Sequence, residues 1–211
     1  VVQLEAALVD GLVHQVYLLL LRREVAQAGR HGLLREHRIV DQFLWDGSNQ
    51  RSGPYGGDWS GRARLLFEVL AAVCDAVGSQ RVGLRLSPLN SFNDMRDSNP
   101  VGLAQWLASE VNRFDLAYLH LMRGDFFGVQ QGDVMTPVRA AYRGVLIGNM
   151  GYRPEEAAEA VRTGKVDAVA FGVAFLANPD LPARIAAGAP LSAPNPATFY
   201  TPGPEGYLDY P

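Results

Sequence analysis

Val82-Gly83-Leu84-Arg85-Leu86-Ser87-Pro88 decides the reading of this chain. Its apolar residues alternate with Gly83, Arg85 and Ser87, which puts Val82, Leu84 and Leu86 on one face of a strand and Arg85 on the other. Three similar segments follow: Leu116 to Leu121, Gly144 to Asn149 and Val166 to Gly172. Helical stretches separate them, and strands alternating with helices predict a parallel β/α construction. An arginine in an apolar strand is costly unless a polar or anionic group meets it. The last two segments both carry glycine near their ends, where backbone N–H groups can approach a phosphate. Together these features predict a phosphate-bearing cofactor held on half of a (β/α)8 barrel.

Bulk composition narrows the class. The chain has 211 residues, 48% hydrophobic and 19% charged, which suits one globular domain. A full (β/α)8 barrel usually takes roughly 250 residues, and only four barrel strands are legible, so the expected architecture is about half a barrel. With a formal charge of −3 and no basic stripe, nucleic acid is not an expected partner. The single Cys74 forms no intrachain disulfide and fits a reducing, cytoplasmic setting. The aliphatic cluster from Val16 to Leu21 is too short to span a membrane, so no membrane role is expected. A start at Val1 rather than methionine leaves room for truncation or processing.

Two regions differ in character. Residues 1–40 read as an atypical helical leader, with Leu4, Ala7, Leu8, Leu12 and the run Gln15 to Leu19 forming an approximate helical stripe. Residues 41–211 read as the half barrel. Within it, Asp46 to Gly57 is a polar, glycine-rich loop, and Leu65, Leu66, Val69, Leu70 and Val73 mark a helix from about Gly61 to Val77. Asn99-Pro100 predicts a capped helix start, as Pro154-Glu155-Glu156 does for the last full helix, which Gly164 stops. The tail from Ala189 is rich in proline and aromatics and is expected to pack back on the barrel.

Several residues are candidates for chemistry. Arg85 would point into the barrel near its active rim; an internal carboxylate partner is the competing explanation. Ile147-Gly148-Asn149-Met150-Gly151 and Phe171-Gly172 read as backbone donors for a phosphate, since glycine lets a ligand approach closely. Two tight strand-to-helix turns would look the same. His120 reads as a buried, hydrogen-bonded histidine. No histidine spacing suits a metal, no nucleophile elbow occurs, and no catalytic residue is assigned.

The segments Asp41 to Leu44, Asp46 to Arg51, Tyr55-Gly56-Gly57, Val82 to Pro88, Phe92 to Asp97, Gly148 to Tyr152, Phe175 to Leu181 and Phe199 to Pro211 resemble the old yellow enzyme family of FMN-dependent ene-reductases. The resemblance covers residues 41–211, in order, and corresponds to the C-terminal half of such enzymes. It implies FMN as cofactor, NAD(P)H as reductant and an activated alkene as substrate. In the family NAD(P)H reduces FMN, hydride then passes from the flavin to the alkene, and a tyrosine supplies the proton. Carried over residue by residue, it places Arg85 beside the N1/O2 edge of the flavin, where reduction accumulates negative charge. It places the backbone of Gly148, Asn149 and Gly172 at the phosphate, with Val173 beside them, and Tyr200 at the substrate pocket.

Three departures accompany the resemblance. The family's earlier strands, with their threonine and glutamine flavin contacts, are absent. The places of its His/Asn pair and proton-donating tyrosine are held by Leu33, Glu36 and Arg38. A phosphate-binding arginine found in many members is replaced by Val173. Two functions from different classes therefore stand side by side. One is an FMN-dependent ene-reductase half, inactive by itself if the missing groups are not supplied. The other is a non-catalytic half barrel that works as an assembly partner, as a homodimer or with a complementing half, because open sheet edges invite pairing. A phosphate-binding β/α barrel for some other ligand is a weaker third.

Overall fold

The computed structural model describes residues 3–6, 39–200, 202–206 and 208–210. Five strands form one sheet in sequence order: β1 (Gln3–Ala6), β2 (Val82–Leu86), β3 (Tyr118–Met122), β4 (Leu146–Asn149) and β5 (Ala168–Ala170). Strands β2 to β5 are parallel, as the alternation of strands and helices predicts. The helices are α1 (Ile39–Leu44), α2 (Trp59–Val77), α3 (Pro100–Val111), α4 (Met135–Ala141), α5 (Pro154–Arg162), α6 (Val173–Ala177) and α7 (Leu181–Ala187).

β1 corrects one expectation. Leu4 belongs not to a helical stripe but to a strand, which runs antiparallel to β2 with Gln3 opposite Arg85 and Ala6 opposite Val82. The ladder of unpaired N–H and C=O groups along β2 supplies hydrogen-bond partners that a local helical pattern cannot offer. The rest of the proposed leader, with Leu33, Glu36 and Arg38, lies outside the described residues.

The core lies between the sheet and its helices. Val82, Leu84, Leu119, Leu121 and Leu146 are fully buried on the helix side, against Leu66, Leu70, Leu103 and Leu107 of α2 and α3. Helix starts follow the sequence chemistry. Asn99 accepts a hydrogen bond from the Gly102 N–H at 3.0 Å, with Pro100 in the first turn. α2 begins slightly before Gly61, because Asp58 caps it by accepting from the Gly61 N–H at 2.9 Å. The tail follows expectation only in part. Thr198 is buried, whereas Tyr200 and Leu208 are 97% and 82% exposed.

Asp97 ties α2, the loop at Asp46 and the loop at Gln130 to the start of α3. Asp97 pairs with Arg62 of α2 at 2.6 Å, both side chains being buried. Its oxygens also accept from the backbone N–H groups of Asp46 at 3.1 Å and Asn99 at 2.8 Å. Its own N–H donates to Gln130 Oε1 at 3.1 Å. Burial makes such a pair costly to break from one side, because the remaining charge keeps its desolvation penalty. Asp97→Ala is therefore expected to lower unfolding free energy by about 3–5 kcal/mol, measured by urea denaturation. By contrast, Arg162→Ala, at the exposed pair with Glu159, should change it by no more than about 1 kcal/mol.

Candidate functional site

The face of the sheet opposite the helical core carries the polar groups. On β3, Leu119 and Leu121 are buried, while Tyr118, His120 and Met122 alternate with them and are half-buried. Strand register puts Arg85 beside His120, and Met122 beside Asn149. Arg85 Nη1 lies 2.6 Å from His120 Nε2 and 3.1 Å from Nδ1. A guanidinium only donates, so the imidazole nitrogen that faces it accepts. Nη2 donates to Asn149 Oδ1 at 2.9 Å, with Met122 Sδ at 3.9 Å as a weaker acceptor. Asn149 Nδ2 in turn donates to the Ala170 carbonyl at 2.8 Å. A line of polar contacts thus crosses the sheet from β3 through β2 and β4 to β5. It lies toward the C-terminal ends of the parallel strands, where ligands bind in β/α folds.

The loops beyond those ends are fixed by two charged residues that sequence reading did not single out. Arg123, directly after β3, donates through Nε to the Met150 carbonyl at 2.7 Å and through Nη2 to the Gly151 carbonyl at 2.9 Å. It also pairs with Glu156 and lies 3.7 Å over the Tyr152 ring. The hydrogen bond between them lowers the Glu156 carboxyl pKa and raises that of Arg123. The clamp holds a turn whose two residues, Met150 and Gly151, have φ of 83° and 66°; only glycine takes that conformation without cost. Position was the available signal for Arg123, since the end of a barrel strand is where functional side chains concentrate.

Asp125 joins the loops after β2 and β3. Its carboxylate accepts from the backbone N–H groups of Ser91 (3.0 Å), Phe127 (3.2 Å), Val129 (2.8 Å) and Gln130 (3.1 Å). Beside it, Phe92 stacks on Phe127 at 5.9 Å and Phe126 meets Phe127 edge-on at 5.4 Å, all three exposed to solvent. These aromatics sit in non-periodic loops, where hydrophobic pattern gives no orientation.

The structure brings together only some of the residues expected from sequence. Arg85 and Asn149 are in direct contact. Gly148 is buried, and a Cβ there would come within 2.9 Å of the Tyr152 hydroxyl and 3.1 Å of Val166 Cγ1, so a side chain would have to displace both neighbours. Gly172 precedes α6 with open space where a Cβ would point, which leaves room for a ligand to approach its backbone. Val173 is 51% exposed and brings no charge. Tyr200 points into solvent and makes no hydrogen bond or ring contact among the described residues. Among those residues no cluster of His, Cys, Asp and Glu could hold a metal ion, and no helix is long and apolar enough to cross a membrane.

The face opposite the helices thus carries a hydrogen-bonded cation, and the end of β4 carries the Asn149 amide and the Arg123 guanidinium.

Comparisons with known proteins agree with the parallel β/α fold. The NADH:flavin oxidoreductase / NADH oxidase family profile matches residues 35–192. A Leishmania infantum protein named "Probable flavin mononucleotide-dependent alkene reductase" is 54% identical over 173 residues, covering 82% of this chain and 47% of that protein. 12-Oxophytodienoate reductase 2 of Arabidopsis thaliana is 38% identical over 188 residues, covering 87% of this chain and 49% of its own length. The old yellow enzyme from Trypanosoma cruzi superposes with a TM-score of 0.80 at 50% identity, over 82% of this chain and 46% of that one. The chain thus spans about half the length of the relatives it matches, and its sheet corresponds to part of their TIM barrels.

Asp125 gives the site a distinct acid response. Burial opposes ionisation of its carboxyl, yet the N–H groups of Ser91, Gln130 and Phe127 outweigh it and bring the pKa from 3.8 down to about 2. A depressed folded-state value contributes stability above the unfolded value, and that contribution is lost as pH falls through about 2. Thermal unfolding of Asp125→Asn should therefore depend less on pH between about 4 and 2 than the parent does, with about 1–2 kcal/mol less stability near neutrality. Parallel pH curves for the two proteins would contradict this role.

Proposed function

Because the chain belongs to the NADH:flavin oxidoreductase / NADH oxidase family, we propose that it forms the Arg85-bearing part of an FMN site in an oxidoreductase of ene-reductase type. The family and its old yellow enzyme members use FMN with an NAD(P)H reductant. The observation that carries the proposal is the guanidinium of Arg85, held by His120 and Asn149 at the C-terminal end of the parallel strands. In this reading Arg85 lies beside the N1/O2 edge of the flavin, and the backbone of Gly148, Asn149, Gly172 and Val173 meets the phosphate. Tyr200 lines the substrate pocket after a change of orientation, since it now faces solvent. When bound, FMN supplies the two-electron chemistry, taking hydride from NAD(P)H and giving it to the C=C of an activated alkene.

The chain's own contribution is electrostatic. A fixed cation at the edge where charge develops favours the reduced cofactor without reorganising during the reaction. His120 and Asn149 limit its motion, and Arg123 fixes the turn that follows β4. No residue is assigned as proton donor to the alkene in this reading, and no catalytic residue is named. Assignment of NADPH as reductant and of a cytoplasmic location belongs to the same proposal.

A second reading rests on the open sheet. Val145, just before β4, is 47% exposed, and β5 is hydrogen-bonded only to β4 among the described residues. Such a face and edge suit a complementing half barrel or a second copy of the chain. In that reading the protein associates without binding flavin.

Fluorescence titration with FMN tests the first reading. Arg85→Ala should weaken FMN binding by roughly tenfold or more, the loss of hydrogen bonds from a charged group. It should also make the bound flavin harder to reduce. Unchanged affinity and unchanged potential would overturn the assignment of Arg85. An associated, flavin-free protein in size-exclusion chromatography would favour the second reading.

A further inference from the structure

We propose that the side-chain amide of Asn149 is a positioning residue that aims the Arg85 guanidinium and couples it to the end of β5. The inference rests on reading Arg85 as the flavin-facing cation. It adds a role for the Asn149 side chain, beyond the backbone contribution to phosphate binding.

The argument begins with the orientation of the amide. Oδ1 accepts from Arg85 Nη2 at 2.9 Å, and Nδ2 donates to the Ala170 carbonyl at 2.8 Å. Turning the amide over would set an NH2 group against the guanidinium and an oxygen against a carbonyl. Both neighbours therefore select the same orientation, donor to acceptor at each end. A hydroxyl would lack the reach and the paired geometry, and a carboxylate would meet the Ala170 carbonyl with like polarity.

The contacts also explain the tilt of Arg85. By register it lies beside His120, which in turn lies beside Ile147, whereas Asn149 is two positions nearer the C-terminal end of β4. A guanidinium that reaches Asn149 must lean toward that end. His120 holds the other terminal nitrogen, at 2.6 Å. With both terminal nitrogens engaged by separate strands, the planar group has one defined orientation. Ala170 stands two residues before Gly172, so the same amide connects the cation with the proposed phosphate end.

The test combines a ligand-free and a ligand-bound measurement. In the unliganded protein, arginine-selective NMR should show slow rotation of the Arg85 guanidinium, with separate Nη signals that coalesce in Asn149→Ala. In the presence of FMN, Asn149→Ala should raise the dissociation constant roughly tenfold, with a more negative flavin potential. If the amide acts through Arg85, then Asn149→Ala adds nothing further in an Arg85→Ala background. An equal loss of affinity in both backgrounds, or Arg85 signals unchanged by the substitution, would overturn the proposal.

Asn149→Asp keeps the side-chain shape and serves if the alanine variant does not fold. Its carboxylate would pair with Arg85 and offset the positive charge, so the flavin potential should fall below that of the parent. An unchanged potential would overturn the proposal. The wider flavin reading fails separately: Arg85→Ala would then leave FMN affinity and potential untouched, while the NMR result would still decide whether Asn149 orients Arg85.

Discussion

The structure depends on one constraint, a permanent positive charge in the middle of a leucine-rich strand. Val82, Leu84 and Leu86 commit one side of β2 to the core, which leaves Arg85 to the other side by alternation alone. A guanidinium there requires acceptors, because desolvating it without partners is costly. β3 and β4 supply them through the imidazole of His120 and the amide of Asn149. The polar line that results gives the sheet a chemically distinct inner face.

A second tier of interactions holds the loops around that face. Asp125 gathers four backbone N–H groups from two successive loops, and Arg123 gathers two carbonyls from the turn after β4. Each works by matching a charge to backbone groups that irregular segments cannot satisfy through regular pairing. Asp97 performs a comparable task for α2, the loop after α1 and the start of α3. Rim loops fixed in this way keep a stable outline while Phe92, Phe126 and Phe127 remain exposed.

Much of this was legible in the sequence. Alternation in Val82 to Ser87 is enough to separate the core face from the Arg85 face, and Asn99-Pro100 marks the start of α3 by cap chemistry alone. The inward position of Arg85 and the parallel order of β2 to β5 follow from the same patterns. What escaped depends on distant partners. β1 is a strand because β2 offers an edge, a fact that the leader's own residues do not encode. The amide role of Asn149 arises from a contact 64 residues away. Arg123, Asp125 and the exposed trio Phe92, Phe126 and Phe127 sit in loops without periodicity, and the outward turn of Tyr200 has no local signature.

The central claim is that this inner face, spanning about half of its relatives' length, retains enough of the site to hold FMN. The most direct measurement is the visible absorption spectrum of the purified protein after incubation with FMN and removal of the excess. The account predicts a retained flavin band near about 450 nm, perturbed from that of free FMN by the cation at Arg85. A colourless protein after every such incubation would contradict it.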